Sequence, residues 1–181
     1  EQNRFARPAA TDPQVLLDEY MIPAMDEVGR RFEANECFVP ELLISARAMK
    51  GAVEIIRPLL STAGAEPVGR VVIGTVQGDL HDIGKNLVAI MLEGGGFEII
   101  DVGVDANADK FIDAINAKKP HIVALSALLT TTLPSMKNII DRMSQAGVRS
   151  QVKVIIGGAP VTQDFADEIG ADGYSDNAGA A

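Results

Sequence analysis

The chain has 181 residues, enough for one substantial α/β domain and a smaller helical piece. With 16 Lys and Arg against 25 Asp and Glu it carries −9, and no Lys/Arg-rich stretch occurs, which argues against a nucleic-acid partner. No apolar run approaches the ~20 residues of a membrane span and no signal-peptide pattern opens the chain, so a cytoplasmic protein with no membrane partner is expected.

The chain opens on "EQNRF" without an initiator Met, and both ends are expected to be trimmed. Residues 13–62 read as helices. "PQVLLDEYMIPAMDEVGRRFE" spaces Val15, Leu16, Tyr20, Met25, Val28 and Phe32 by three and four, the pattern of an amphipathic helix. Pro23 should kink or divide it. The lone Cys37 excludes an internal disulfide and a cysteine zinc cage, and beside "FVPELL" it reads as a small core hydrophobe. "VPELLISARAMKGAVEIIRPLL" repeats the helical pattern, with Pro40 in its first turn and Pro58 expected to bend its end. Two helices cannot bury their apolar faces alone, so this half must pack on something else.

"STAGAEPVG" (61–69) reads as a linker. Beyond it the rhythm changes: 70–76, 98–104, 121–127 and 153–159 are short, β-branched, continuously apolar runs, as in strands buried on both faces of a parallel sheet. "ADGYS" (171–175) is a candidate fifth strand, and a further helix is expected to begin at "SDNAGAA". Helical patterns over 84–94, 107–118, 133–147 and 162–169 alternate with the strands, giving a five-stranded doubly wound parallel sheet with right-handed crossovers. The expected organisation is a helical cap at 1–66, an incomplete bundle, followed by an α/β domain at 67–181. Ligands of such sheets bind beyond the carboxyl ends of the strands.

Those ends carry few charges and many small residues. The first has Gly78, Asp79, His81, Asp82 and Gly84; the third has Ser126, Leu128, Thr130, Thr131 and Thr132; the fourth has Gly157 and Gly158; the fifth has Gly173. Several have plain structural readings. Asp82 reads as a helix N-cap and the threonines as caps for the helix from 133, while the glycine pair suits a tight turn. His121, at the opposite end of the third strand, reads as structural. His81 lies in a loop rather than on an apolar helix face. With a carboxylate two residues before it, His81 suits a general base or a metal ligand whose second nitrogen bonds that carboxylate. Ser126 lacks a nucleophile elbow, and no second His or Cys lies near enough for an all-protein metal site. A phosphoacceptor domain would need Asp at position 126 and a Lys ending the fifth strand, and has neither. One histidine holds a metal only where a macrocycle supplies the other ligands.

Asp79-Leu80-His81-Asp82-Ile83-Gly84, then Ser126-Ala127-Leu128, then Gly157-Gly158 resemble the D-x-H-x-x-G, S-x-L and G-G signature of cobalamin-binding domains, in order, across residues 70–175. The helical stretch ending "FVPELLISARAMK" is similar to the cap of methyltransferase corrinoid proteins and methionine synthase. The run from "ALSALLTTT" to "DEIGADGY" resembles the small corrinoid proteins of methanol, methylamine and aryl methyl ether systems.

The resemblance implies a flavodoxin-like, B12-binding fold and cobalamin, a cobalt corrinoid, bound with its own base displaced and His81 as the axial metal ligand. It implies a site of Gly78, Asp79, Leu80, His81, Asp82, Ile83, Gly84, Ser126, Leu128, Thr130, Thr132, Gly157, Gly158, Ala159 and Gly173. Asp79 would accept the other His81 N–H, with Thr132 at the position where methionine synthase has serine, and the glycines would let the nucleotide tail lie on bare backbone. A bulky residue at Gly84 would crowd the macrocycle. The cap would cover the reactive face through Phe38, Leu42, Met49 or Val53, with Met49 in the cofactor set. The function implied is a methyl carrier cycling between methylcobalamin and cob(I)alamin, with His81 binding and releasing through a proton shared with Asp79. Its partners would be a substrate methyltransferase, a tetrahydrofolate or thiol methyltransferase and a reductive activator. A cobalamin-binding sensor or photoreceptor, or the cobalamin subunit of an adenosylcobalamin mutase, is the alternative.

Overall fold

The computed structural model describes residues 12–62 and 67–178. Much of the expected linker and the last residues of the expected terminal helix lie outside these; residues 176–178 form bends. Helix α1 spans Pro13–Leu16 and passes through a π-helical turn, Leu17–Met21, into α2, Ile22–Glu33. Pro23 is the second residue of α2. It has no N–H to give to the preceding turn, so the helical stretch divides just before it, as expected. Helix α3 runs Val39–Thr62 with Pro40 in its first turn, and it continues past Pro58. Cys37 is only half-buried, with Sγ 3.7 Å from the Val28 carbonyl oxygen. It braces the α2–α3 turn and is not a core residue, which corrects the expectation.

The second region has five parallel strands: β1 Arg70–Thr75, β2 Glu98–Asp101, β3 Ile122–Ser126, β4 Lys153–Gly157 and β5 Gly173–Ser175. Their order is β2-β1-β3-β4-β5. Helices α4 (Ile83–Gly94), α5 (Ala108–Lys118), α6 (Leu133–Gln145) and α7 (Gln163–Ile169) connect them. This is the doubly wound, flavodoxin-like sheet expected from the alternating patterns.

The apolar runs are explained by the two faces of the sheet. Val72, Val123, Leu125, Val154 and Ile156 point to one side, where Phe111, Ile115, Met136, Ile139 and Met143 of α5 and α6 cover them. Val71, Ile73 and Ala124 point to the other, against Val88, Ala89 and Leu92 of α4. Each buried Val or Ile contributes about 1.5–3 kcal/mol relative to exposure. The helical region adds its own small core, in which Met25, Ala46 and Met49 pack on Ile90 and Met91 of α4. The unburied faces of the two helices are thus partly covered by α4, and this seats them beside the turn that precedes it.

Candidate cofactor site

Strand β1 ends at Thr75, and the chain turns through Gly78 at φ +87°, a conformation in which a side chain would be strained. The turn is pinned from the neighbouring loop: the Gly78 N–H donates to Asp105 Oδ1 at 2.8 Å, and the Asp105 N–H donates to the Asp79 carbonyl at 3.0 Å. Asp79 is thereby driven inward, and its side chain is fully buried.

Five donor groups from four residues converge on that carboxylate. Oδ1 accepts the His81 N–H at 3.0 Å and lies 2.7 Å from His81 Nδ1. Oδ2 accepts the Leu128 N–H at 2.8 Å and lies 2.8 Å from the Thr132 hydroxyl, with the Leu129 N–H at 3.2 Å. Burial alone would raise the Asp79 carboxyl, but hydrogen bonds from the His81 and Leu128 amides, the His81 ring and Thr132 hold it well below the usual carboxylate range. An ionised carboxylate only accepts, so Nδ1 is the donor and, in the neutral ring, Nε2 carries the lone pair. The His81 side chain is half exposed.

His81 lies at the mouth of a cavity of about 810 Å³ that runs over the α4 side of the sheet at the carboxyl ends of β1, β3 and β4. Of the expected residues, Leu80, His81, Asp82, Ile83, Gly84, Ser126, Leu128, Gly157, Gly158, Ala159 and Gly173 line it. Asp79 and Thr132 stand behind His81 as its support. Gly78 shapes the turn, and Thr130 is exposed in the short 3₁₀ turn Thr130–Thr132, away from the lining. Met49 lies in the core between the cap helices and α4 and does not line the cavity; among the described cap residues Phe32 does. Leu42 is fully buried, Phe38 is exposed and Val53 packs on the cap core, so none of the helical candidates lines it.

Two further expectations change. Asp82 and Thr132 occupy helix N-cap positions without making a side-chain cap. Their ψ values of −12° and −8° are not the extended geometry that swings an N-cap side chain over the first turn. Asn107 and Thr162, at ψ 169° and 163°, do cap their helices, at Lys110 and Phe165. Asp82 instead accepts from Asn86 Nδ2, and Thr132 is left free to reach Asp79. The glycine pair also has a different reason. A Cβ on Gly158 (φ +132°) would collide with the Ala127 carbonyl oxygen, and one on Gly157 would stand 3.3 Å from the Ser175 carbonyl oxygen. The neighbouring backbone is by itself enough to demand glycine at 158 and disfavours a side chain at 157. At Gly84 an added Cβ meets nothing within 4 Å, so a side chain there would enter open space beside His81.

Sequence reasoning missed Lys85 and Thr75. Lys85 is buried in the first turn of α4, ion-paired with Asp101 and bonded to Asn86 Oδ1 at 2.7 Å. Thr75 is fully buried and donates to the His81 carbonyl at 2.8 Å. The signal for Thr75 was a hydroxyl closing an otherwise apolar strand.

The donor set suits a metal that brings its own ligands: among the described residues no three His, Cys, Asp or Glu side chains gather at one point, so His81 would be a single protein donor. No helix among them is long and apolar enough to cross a membrane. Residues 69–181 match the B12 binding domain family, and residues 4–57 match a second family profile of the same description. Trimethylamine corrinoid protein 2 of Methanosarcina mazei is 43% identical over 172 residues, 94% of this chain and 79% of that protein. Dimethylamine corrinoid protein 3 of the same organism is 44% identical over 158 residues, 87% of this chain and 95% of that one. A cobalamin-binding protein from Desulfitobacterium hafniense DCB-2 superposes with a TM-score of 0.80 at 36% identity, over 93% of this chain and 78% of that one. The methanol:cobalamin methyltransferase complex of Methanosarcina barkeri gives 0.80 at 32% identity, over 93% of this chain and 64% of that one. This chain belongs to the B12-binding corrinoid proteins, and cobalamin is the cofactor its site takes.

Proposed function

We propose that this chain is a methyl carrier, in which His81 would be the protein's ligand to the cobalt of cobalamin, and that it shuttles a methyl group between two methyltransferases. The observation that carries this reading is the Asp79–His81 pair at the cavity mouth, a single oriented imidazole backed by a buried carboxylate. Likeness to the trimethylamine and dimethylamine corrinoid proteins and to the methanol:cobalamin methyltransferase complex supports methyl transfer as the reaction class. In the same reading residues 1–66 are the cap and 67–181 the cofactor domain. The partners are a substrate methyltransferase, a tetrahydrofolate or thiol methyltransferase and a reductive activator, in the cytoplasm.

When bound, cobalamin supplies a cobalt centre that accepts and gives up a methyl group. The chain supplies the tuning. Asp79 fixes the tautomer of His81, so that Nε2 presents a lone pair, and its negative charge strengthens the imidazole as a donor. Thr132 and the Leu128 and Leu129 amides hold Asp79 in place from the end of β3. Because these bonds favour the ionised carboxyl, Asp79 would act as acceptor for the Nδ1–H of His81. Ser126, Gly157 and Ala159 would hold the nucleotide tail, and Phe32 lines the cavity from the cap.

The test is reconstitution with methylcobalamin, desalting and a visible spectrum, then incubation with methylamines alone and with a partner methyltransferase from a methylamine system. A carrier retains cofactor in the base-off form and exchanges methyl groups only with a partner present. Demethylation by the loaded chain alone, or a base-on spectrum, would overturn the reading.

A further inference from the structure

We propose that Thr75 is a positioning residue for the axial histidine and acts through the His81 carbonyl. The inference rests on His81 being the cobalt ligand, as proposed above. Asp79 already holds His81 at two points, its amide N–H at 3.0 Å and its Nδ1 at 2.7 Å. One contact is at the amide and the other at the ring, and neither holds the carbonyl side of the residue. The Thr75 hydroxyl holds that side by donating to the His81 carbonyl at 2.8 Å.

Thr75 is well suited to give a fixed reference. It is fully buried at the last position of β1, paired with Ser126 of β3 across the sheet. Its own N–H donates to the Gly103 carbonyl at 2.9 Å and its carbonyl accepts the Ala106 N–H at 3.0 Å. With the main chain anchored on both sides and the side chain β-branched, its hydroxyl has few alternative positions. The 75–81 segment is therefore a closed loop, tied at its base by Thr75 and at its tip by Asp79. His81 arrives pre-set, so the loop loses less conformational freedom when a ligand is engaged. The gain from one such neutral hydrogen bond corresponds to roughly 3- to 10-fold in an equilibrium.

The experiment compares Thr75→Val, which keeps the shape and removes the hydroxyl, with Thr75→Ser, which keeps the hydroxyl. Thr75→Ala stands in if the Val variant fails to fold. In the cofactor-free protein, amide hydrogen exchange at His81 is measured against the β1 and β3 amides. In protein loaded with cob(II)alamin, the ratio of histidine-on to histidine-off forms is read from the nitrogen splitting in the EPR spectrum. The expected result is faster exchange at His81 in the Val variant, with β1 and β3 unchanged, a roughly 3- to 10-fold lower histidine-on ratio, and recovery of both in the Ser variant. A Val variant matching the wild type in both readouts, or a Ser variant as impaired as Val, would overturn the inference. If wild-type protein shows no histidine-on form, the ligand assignment falls; the exchange data then still decide whether Thr75 positions His81.

Discussion

The chain has two histidines, one at each end of the sheet, and the hydrogen bond each makes through Nδ1 runs in opposite senses. At the amino end, His121 Nδ1 accepts the Arg70 N–H at 3.0 Å, so its lone pair is spent inside the fold and Nε2 carries the proton. At the carboxyl end, His81 Nδ1 donates to buried Asp79, which in the neutral ring leaves the lone pair on Nε2. The same side chain is thus a strand fastener in one place and, in the proposed function, a metal donor in the other. The neighbour at Nδ1, a backbone donor or a carboxylate, makes the difference.

The ends differ in the same way elsewhere. At the amino ends of β4 and β5, Asp172 accepts the Val154 N–H at 2.8 Å and pairs with Arg149 and Lys153 at 2.7 and 3.0 Å. Its bonds are all internal fastenings. At the carboxyl ends, the polar groups converge on one carboxylate behind a cavity. Substitutions at the carboxyl ends should therefore change cofactor binding, and those at the amino ends only stability.

The sharpest contrast is expected from Gly84→Leu. The site is open and its backbone unstrained, so thermal unfolding should stay within about 0.5 kcal/mol of wild type. The new side chain enters the space beside His81, and cobalamin affinity measured by titration should drop about 100-fold, or ~3 kcal/mol. Unchanged affinity would put the corrin elsewhere. Next comes Asp79→Asn, which removes the charge that orients His81. Ligation by His81 should weaken about 10- to 100-fold by spectroscopic titration. Denaturant unfolding should show a loss of about 1–3 kcal/mol, because five donors lose a charged acceptor.

Asp172→Asn should leave cofactor binding intact and act through pH. Burial raises the Asp172 carboxyl, but the Val154 amide, Lys153 and Arg149 overcome this and lower it from 3.8 to about 2. A lowered carboxyl stabilises the fold at every pH above its unfolded value, and the contribution of about 2 kcal/mol is lost as pH falls from about 4 to 2. The Asn variant should be less stable at neutral pH and show a flatter unfolding curve across that acid window. A wild-type curve already flat there would remove Asp172 from the account. The smallest effect belongs to His121→Ala, at about 1 kcal/mol or less with an unchanged cofactor spectrum.

Much of this was legible in the sequence for identifiable reasons. The runs around Val72, Val123 and Val154 are apolar because both faces are buried, and this dictates a parallel sheet. The Asp79–His81 spacing survives into the structure because a two-residue step brings the carboxylate to both the amide and the ring of His81. The cap partner was illegible: helical spacing marks Met49 as inward-facing but does not tell its packing on α4 from a view of the cavity. Asp82 and Thr132 have the right residue types for caps, yet ψ, set by the loop before them, decides whether the side chain reaches. Thr75 was read with its strand because its role depends on where a loop six residues later returns.

The central claim, that His81 and not the cofactor's own base or His121 ligates cobalt, is tested by labelling. Protein grown with ¹⁵N-histidine is loaded with unlabelled cob(II)alamin, and its EPR spectrum is recorded beside the His81→Gln and His121→Gln variants. A histidine ligand turns the ¹⁴N triplet into a ¹⁵N doublet; the doublet should persist in His121→Gln and vanish in His81→Gln. A triplet retained in the labelled wild-type protein would contradict the account.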